Sequence, residues 1–107
     1  MPAKKIDISP GELKIVRGIL KKRVPDREVR AFGSRVTGGN KEFSDLDIAV
    51  MGAEPVDDAV KADMAEDFKE SDLPFKVDVV DWAKTKANFR RIIEKKYVIL
   101  QKRKHDK

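Results

Sequence analysis

Apolar and polar positions along this chain follow two rhythms, one near four residues and one of two. Ser9-Pro10-Gly11-Glu12 opens a helix. Ser9 can cap it, Pro10 suits the first helical position, and Glu12 stands where a capping-box carboxylate reaches back. Leu13, Val16, Ile19 and Leu20 supply an apolar stripe at helical spacing, and Pro25 ends it. Glu28 to Phe32 then alternates, with Val29 and Ala31 opposed to Arg30 and Phe32, as in a strand. The polar, glycine-bearing stretch from Gly33 to Ser44 reads as a loop. Leu46 to Met51 is a second strand, bounded by Gly52 and Pro55. Val56, Val60, Met64 and Phe68, spaced by four, predict a helix from Val56 to Glu70, which Leu73-Pro74 breaks. Lys76 to Val80 is a third strand. Asn88 to Lys96 is a last helix with Phe89, Ile92 and Ile93 facing inward, and Tyr97 to Leu100 forms a final strand.

This order predicts an α+β (mixed α/β) fold, a small sheet covered by helices. The first two strands, joined by a loop rather than a helix, should form a hairpin-like pair. A chain of 107 residues has the size of one domain, spanning 1–107, with frayed tails at 1–8 and 101–107.

Composition narrows the partners. The 24 basic and 19 acidic residues leave a net charge of +5, which favours anionic partners in general. The basic run Lys102, Arg103, Lys104 and Lys107 reads as a solvated terminus, and the lone His105 lies within it. With no cysteine, disulfide and thiolate chemistry are excluded. No apolar run reaches the length of a membrane span, and Met1 to Lys5 lacks the apolar core of a signal peptide, so a cytoplasmic protein is expected. Aromatics make up only 7% of the chain and are not interleaved with a basic strand, which argues against direct nucleic-acid binding.

Candidate chemistry gathers in three segments: Gly33-Ser34-Arg35 after the first strand, Ser44-Asp45-Leu46-Asp47 where the second begins, and Asp78 among the valines of the third. Strand side chains alternate, so Asp45 and Asp47 share a face, with Cα atoms about 6.5–7 Å apart. Like charges that close repel unless a cation lies between them. Magnesium prefers oxygen ligands and binds through one or two carboxylates plus substrate phosphates. Taken alone, Asp45 and Asp47 also read as a polar strand end, and Asp78 as the surface of an edge strand. Asp81 competes with Asp78 as third carboxylate. An odd offset puts it on the other face, where it can cap a turn at Trp82. Gly33 permits close backbone approach to an anion, Ser34 offers a hydroxyl, and Arg35 a planar donor set suited to phosphate.

The combination is more specific than its parts. Gly33-Ser34, ten intervening residues, Asp45-Leu46-Asp47 and a later strand aspartate resemble the signature of the polymerase-beta-like nucleotidyltransferases. GSRVTGGNKEFSDLDIAV, residues 33–50, is similar to the minimal nucleotidyltransferase group of that superfamily, and VDVVDW, residues 77–82, to its third motif. The resemblance runs from about Glu12 to Tyr97 and implies that superfamily's fold. It implies paired metal ligands at Asp45 and Asp47, and a third carboxylate at Asp78 that binds the second metal and helps deprotonate the attacking hydroxyl. Gly33 and Ser34 would hold nucleotide phosphates, supported by Arg35 and Ser44. It further implies two Mg2+ ions, ATP as nucleotidyl donor, and a helical HEPN-type protein as acceptor in a toxin-antitoxin system. A small-molecule acceptor of antibiotic type, and a module that neutralises its partner without catalysis, remain as alternatives.

Overall fold

The structure, a computed structural model, describes residues 6–39 and 44–103. Along the chain come α1 (Pro10–Arg23), β1 (Val29–Phe32), the one-turn helix α2 (Ser34–Thr37), β2 (Leu46–Val50) and α3 (Asp58–Glu70). They are followed by β3 (Val77–Asp81), a 3-10 turn (Trp82–Lys84), α4 (Ala87–Lys95) and β4 (Val98–Gln101).

The capping box at α1 forms as its residues predict. The Ser9 hydroxyl accepts from the Glu12 amide at 3.1 Å, and the Glu12 carboxylate accepts from the Ser9 amide at 2.9 Å. Helix α3 begins at Asp58 rather than Val56. Asp57 is the better cap, accepting the Ala59 amide at 2.8 Å, and Val56 is buried ahead of it.

The sheet has the order β3-β2-β1-β4. β1 and β2 are antiparallel, the expected hairpin-like pair, and β4 is antiparallel to β1 on its other side. β2 and β3 are parallel, which requires a crossover, and α3 provides it. One face of the sheet (Val29, Ala31, Leu46, Ile48, Val50, Leu100) packs on Val16 and Leu20 of α1 and on Met64 and Phe68 of α3. The other face, at Phe32 and Ala49, is covered by Ile93 of α4. Three layers result, with α1 and α3 below and α4 above. Arg23 grips Asp67 through two hydrogen bonds, of 2.5 and 3.2 Å, and ties α1 to α3.

Several expectations give way to the tertiary structure. The loop predicted over 33–44 contains α2, whose inward residues are Arg35 and Val36. Residues 40–43 lie outside the described residues, as do 1–5 and 104–107. The tails are not frayed where they are described. Ile6 is buried, Ile8 packs on the core, and the Asp7 amide donates to the Arg35 carbonyl at 2.8 Å. Gln101 belongs to β4 and its side chain donates to the Val24 and Arg27 carbonyls, both at 2.9 Å. In α4 only Ile93 is buried, whereas Phe89 and Ile92 are 37% and 61% exposed. A helix of nine residues resting on a four-stranded sheet offers it one narrow stripe, filled by Ile93 with the Phe89 ring against Phe32, and Ile92 falls outside it.

Candidate active site

Alternation along β2 commits Leu46 and Ile48 to the α1–α3 core, so Asp47 projects from the α4 face, and Asp45 stands just ahead of the strand. The parallel register then puts Asp78 directly across from Asp47. On the other side, the antiparallel register sets Phe32 opposite Asp47. Gly33 follows Phe32 with φ +82°, a conformation that L side chains rarely adopt, and a Cβ there would collide with Oδ2 of Asp47. Glycine is therefore required twice, by its own backbone and by the carboxylate beside it. Ser34, half-buried, opens α2 immediately after it.

Asp45 and Asp78 are exposed and Asp47 is half-buried. Burial, then the charges of Asp78 and Asp45, push the Asp47 carboxyl above the usual carboxylate range. Among the described residues none of the three aspartates takes part in an ion pair. Gathered carboxylates without a protein cation are the donor chemistry that suits magnesium. No group of three or more His, Cys, Asp or Glu side chains forms a ready metal cage among the described residues. The oxygens of the three aspartates are of the donor type that magnesium takes, and the described residues hold no assembled metal site.

Arg35 is placed otherwise than expected. It is 5% exposed, its Nε donates to the Ser44 carbonyl at 3.0 Å, and an Nη donates to the Asp7 carbonyl at 2.8 Å. The guanidinium lies 4.2 Å from the centre of the Phe75 ring. The turn of α2 carries this side chain inward. Its work is positional: it holds the backbone at Ser44, the residue before Asp45. Ser44 itself enters through that carbonyl. Arg35→Lys keeps the charge and loses the planar fork. It is expected to cost about 1–3 kcal/mol in a urea titration at unchanged m, because a buried acceptor loses its donor.

Asp81 does not cap the turn at Trp82, to which its side chain makes no capping bond. It is buried on the α3 side, where Oδ2 accepts the Val56 amide at 2.9 Å and pairs with Lys61 at 3.5 Å. It braces the segment leading into α3, on the face opposite Asp78.

Two neighbours of the site escaped the sequence reading. The Phe89 ring of α4 meets Phe32 edge-on, centroids 5.8 Å apart, so α4 stands beside Asp47. Arg90 anchors that helix by lying over the Trp82 ring and donating to its carbonyl at 2.7 and 3.2 Å. A groove of about 730 Å³ also opens at Asp45, walled by Leu73, Phe75 and Val77 and flanked by Lys69 and Lys76. Its volume lies within the range of small-molecule sites.

Residues 13–102 match the nucleotidyltransferase domain family. The chain belongs to that family. This nucleotidyltransferase is 50% identical over 98 residues to a probable protein adenylyltransferase, MntA, of Haemophilus influenzae, spanning 92% of this chain and 86% of that relative. Among solved structures it is similar to a toxin-antitoxin crystal structure with AMP-PNP, at TM-score 0.70 and 24% identity, over 84% of this chain and 73% of that one. It is also similar to a complex of a tri-AMPylated Shewanella oneidensis HEPN toxin with its MNT antitoxin, at TM-score 0.63 and 22% identity, over 85% and 70% of the two chains. At these identities the solved structures establish the fold of this nucleotidyltransferase.

Proposed function

We propose that this nucleotidyltransferase transfers adenylate from ATP to a hydroxyl of a HEPN-type protein in the cytoplasm and acts as its antitoxin. The observation that carries the chemistry is the cross-strand pair of Asp47 and Asp78, with Gly33 packed against Asp47. The likeness to a protein adenylyltransferase supports the choice of adenylate and of a protein acceptor.

Each residue has a task in this reading. Gly33 lets the backbone approach the triphosphate, and Ser34 at the start of α2 offers its hydroxyl to a phosphate oxygen. Asp45, Asp47 and Asp78 would hold Mg2+, which when bound neutralises phosphate charge as a Lewis acid. Asp78, exposed on the edge strand β3, would take the hydroxyl proton. The acceptor oxygen attacks the α-phosphorus, the bond to the bridging oxygen of the β-phosphate breaks, and pyrophosphate departs.

The test is label transfer. The protein is incubated with Mg2+, α-phosphate-labelled ATP and a lysate of its source, and labelled species are identified by mass spectrometry. Label on a hydroxyl of a HEPN-type protein is the expected result. Label on a small molecule alone would replace the acceptor, and no transfer at all would remove the catalytic reading.

A further inference from the structure

Resting on the reading above that the acceptor is a HEPN-type protein, we infer that the exposed face of α4, centred on Ile92 and edged by the partly exposed Phe89, is the surface on which that acceptor docks. The matching surface is an apolar patch rimmed by acidic residues.

Three observations converge on this face. The large apolar residues left exposed among the described residues are Phe89, Ile92 and Ile99, at 37%, 61% and 37%. All three lie on the α4 side of the sheet. Phe89 and Ile92 belong to α4 itself, and Ile99 alternates with Val98 and Leu100, which pack into the opposite core. Contiguous exposed apolar surface, as distinct from single exposed residues, is the kind that marks a contact site. The same face is continuous with the catalytic carboxylates, because Phe89 packs on Phe32 and Phe32 stands opposite Asp47. An acceptor seated on α4 therefore has the site within reach of its own surface.

Charge selects the occupant. Along α4 and its two ends, exposed Lys86, Arg91, Lys95 and Lys96 outnumber Glu94, the one acid of the helix. Arg90 is committed to Trp82. A second copy of this chain would set Arg91 and Lys95 against their own images, and like charges opposed across an interface are unfavourable. An anionic membrane matches the charge, but a membrane on this face would shut the carboxylates away from a protein acceptor. An acidic, apolar-centred protein surface satisfies both the charge and the access.

The experiment uses the full chain and the acceptor identified by label transfer, purified. Ile92→Asp and the double change R91E/K95E alter exposed positions, so both proteins should melt within about 0.5 kcal/mol of the native one. KM for the acceptor is expected to rise about tenfold or more in each, with KM for ATP unchanged. R91E/K95E should also flatten the salt dependence of acceptor KM. Equal acceptor KM in native and variant proteins would overturn the docking surface and leave the function standing. A native chain that labels no HEPN-type protein would overturn the function and this inference with it. A native dimer that Ile92→Asp dissociates, or native binding to anionic vesicles that the variant loses, would also overturn it.

Discussion

Asp47→Asn is expected to abolish adenylate transfer and, in the same protein, to raise the melting temperature of the metal-free chain. Both effects have one cause. Asp47 is the most enclosed of the three site aspartates, and its charge is opposed by burial and by Asp78 and Asp45. Asparagine keeps the shape and removes the charge. The loss in transfer rate should be on the order of 10³-fold or more, since the carboxylates act as a unit on phosphate charge. The gain in stability is smaller, because water still screens a half-buried carboxylate. A rise of about 1–4 °C is expected, where 1 kcal/mol moves the melting point of a domain this size by ~4–8 °C.

The pH dependence follows from the direction of the shift. A carboxyl whose folded pKa is raised contributes most to stability below its unfolded value, and loses that contribution as pH rises through its folded value. The difference between Asp47→Asn and the native protein should therefore be smallest in acid and widen toward neutral pH. Magnesium should reverse the ranking, stabilising the native protein by binding the folded state while leaving the variant unchanged. Scanning calorimetry at several pH values, in EDTA and in Mg2+, checks all three statements. A variant that melts below the native protein at neutral pH in EDTA would contradict the electrostatic account.

The second large effect is expected from Gly33→Ala. Its φ of +82° puts alanine in a strained region, at about 1–3 kcal/mol. The new Cβ would also collide with Oδ2 of Asp47, so that carboxylate must leave its place. Transfer should fall by about 100-fold or more, the scale of a misplacement near 1 Å in a catalytic constellation. The melting point should fall as well. Gly11→Ala is the control: a Cβ there meets nothing within 4 Å, and alanine favours a helix. It should leave transfer unchanged and stability equal or slightly higher. Retained activity in Gly33→Ala would show that close packing against Asp47 is dispensable.

Much of the fold was legible because its signals are local. The capping box at Ser9 and Glu12 involves residues three apart, and it forms as read. The break at Pro25 and the alternation of β1 and β2 are equally short-ranged. Less was legible where two local signals compete. The spacing of Val56 with Val60 extends a helix that Asp57 in fact starts later. The polar stretch after Gly33 hides a single helical turn, too short to show a period.

The candidate site divides along the same line. A strand alternates wherever it pairs, so the face of Asp47, opposite to Leu46 and Ile48, was already contained in the spacing of β2. So was the opposite orientation of Asp78 and Asp81 on β3. The partners on each face came from long-range packing. The β2–β3 register, set through the α3 crossover, stands Asp78 across from Asp47. The fold of α2 turns Arg35 from an expected phosphate ligand into a brace for Ser44. The resting place of α4 leaves Ile92 outward and Phe89 half-covered against Phe32, although the helical pattern grouped both with Ile93. Periodicity assigns each side chain a direction within its own element, and the direction acquires chemical meaning only once another element has packed against it.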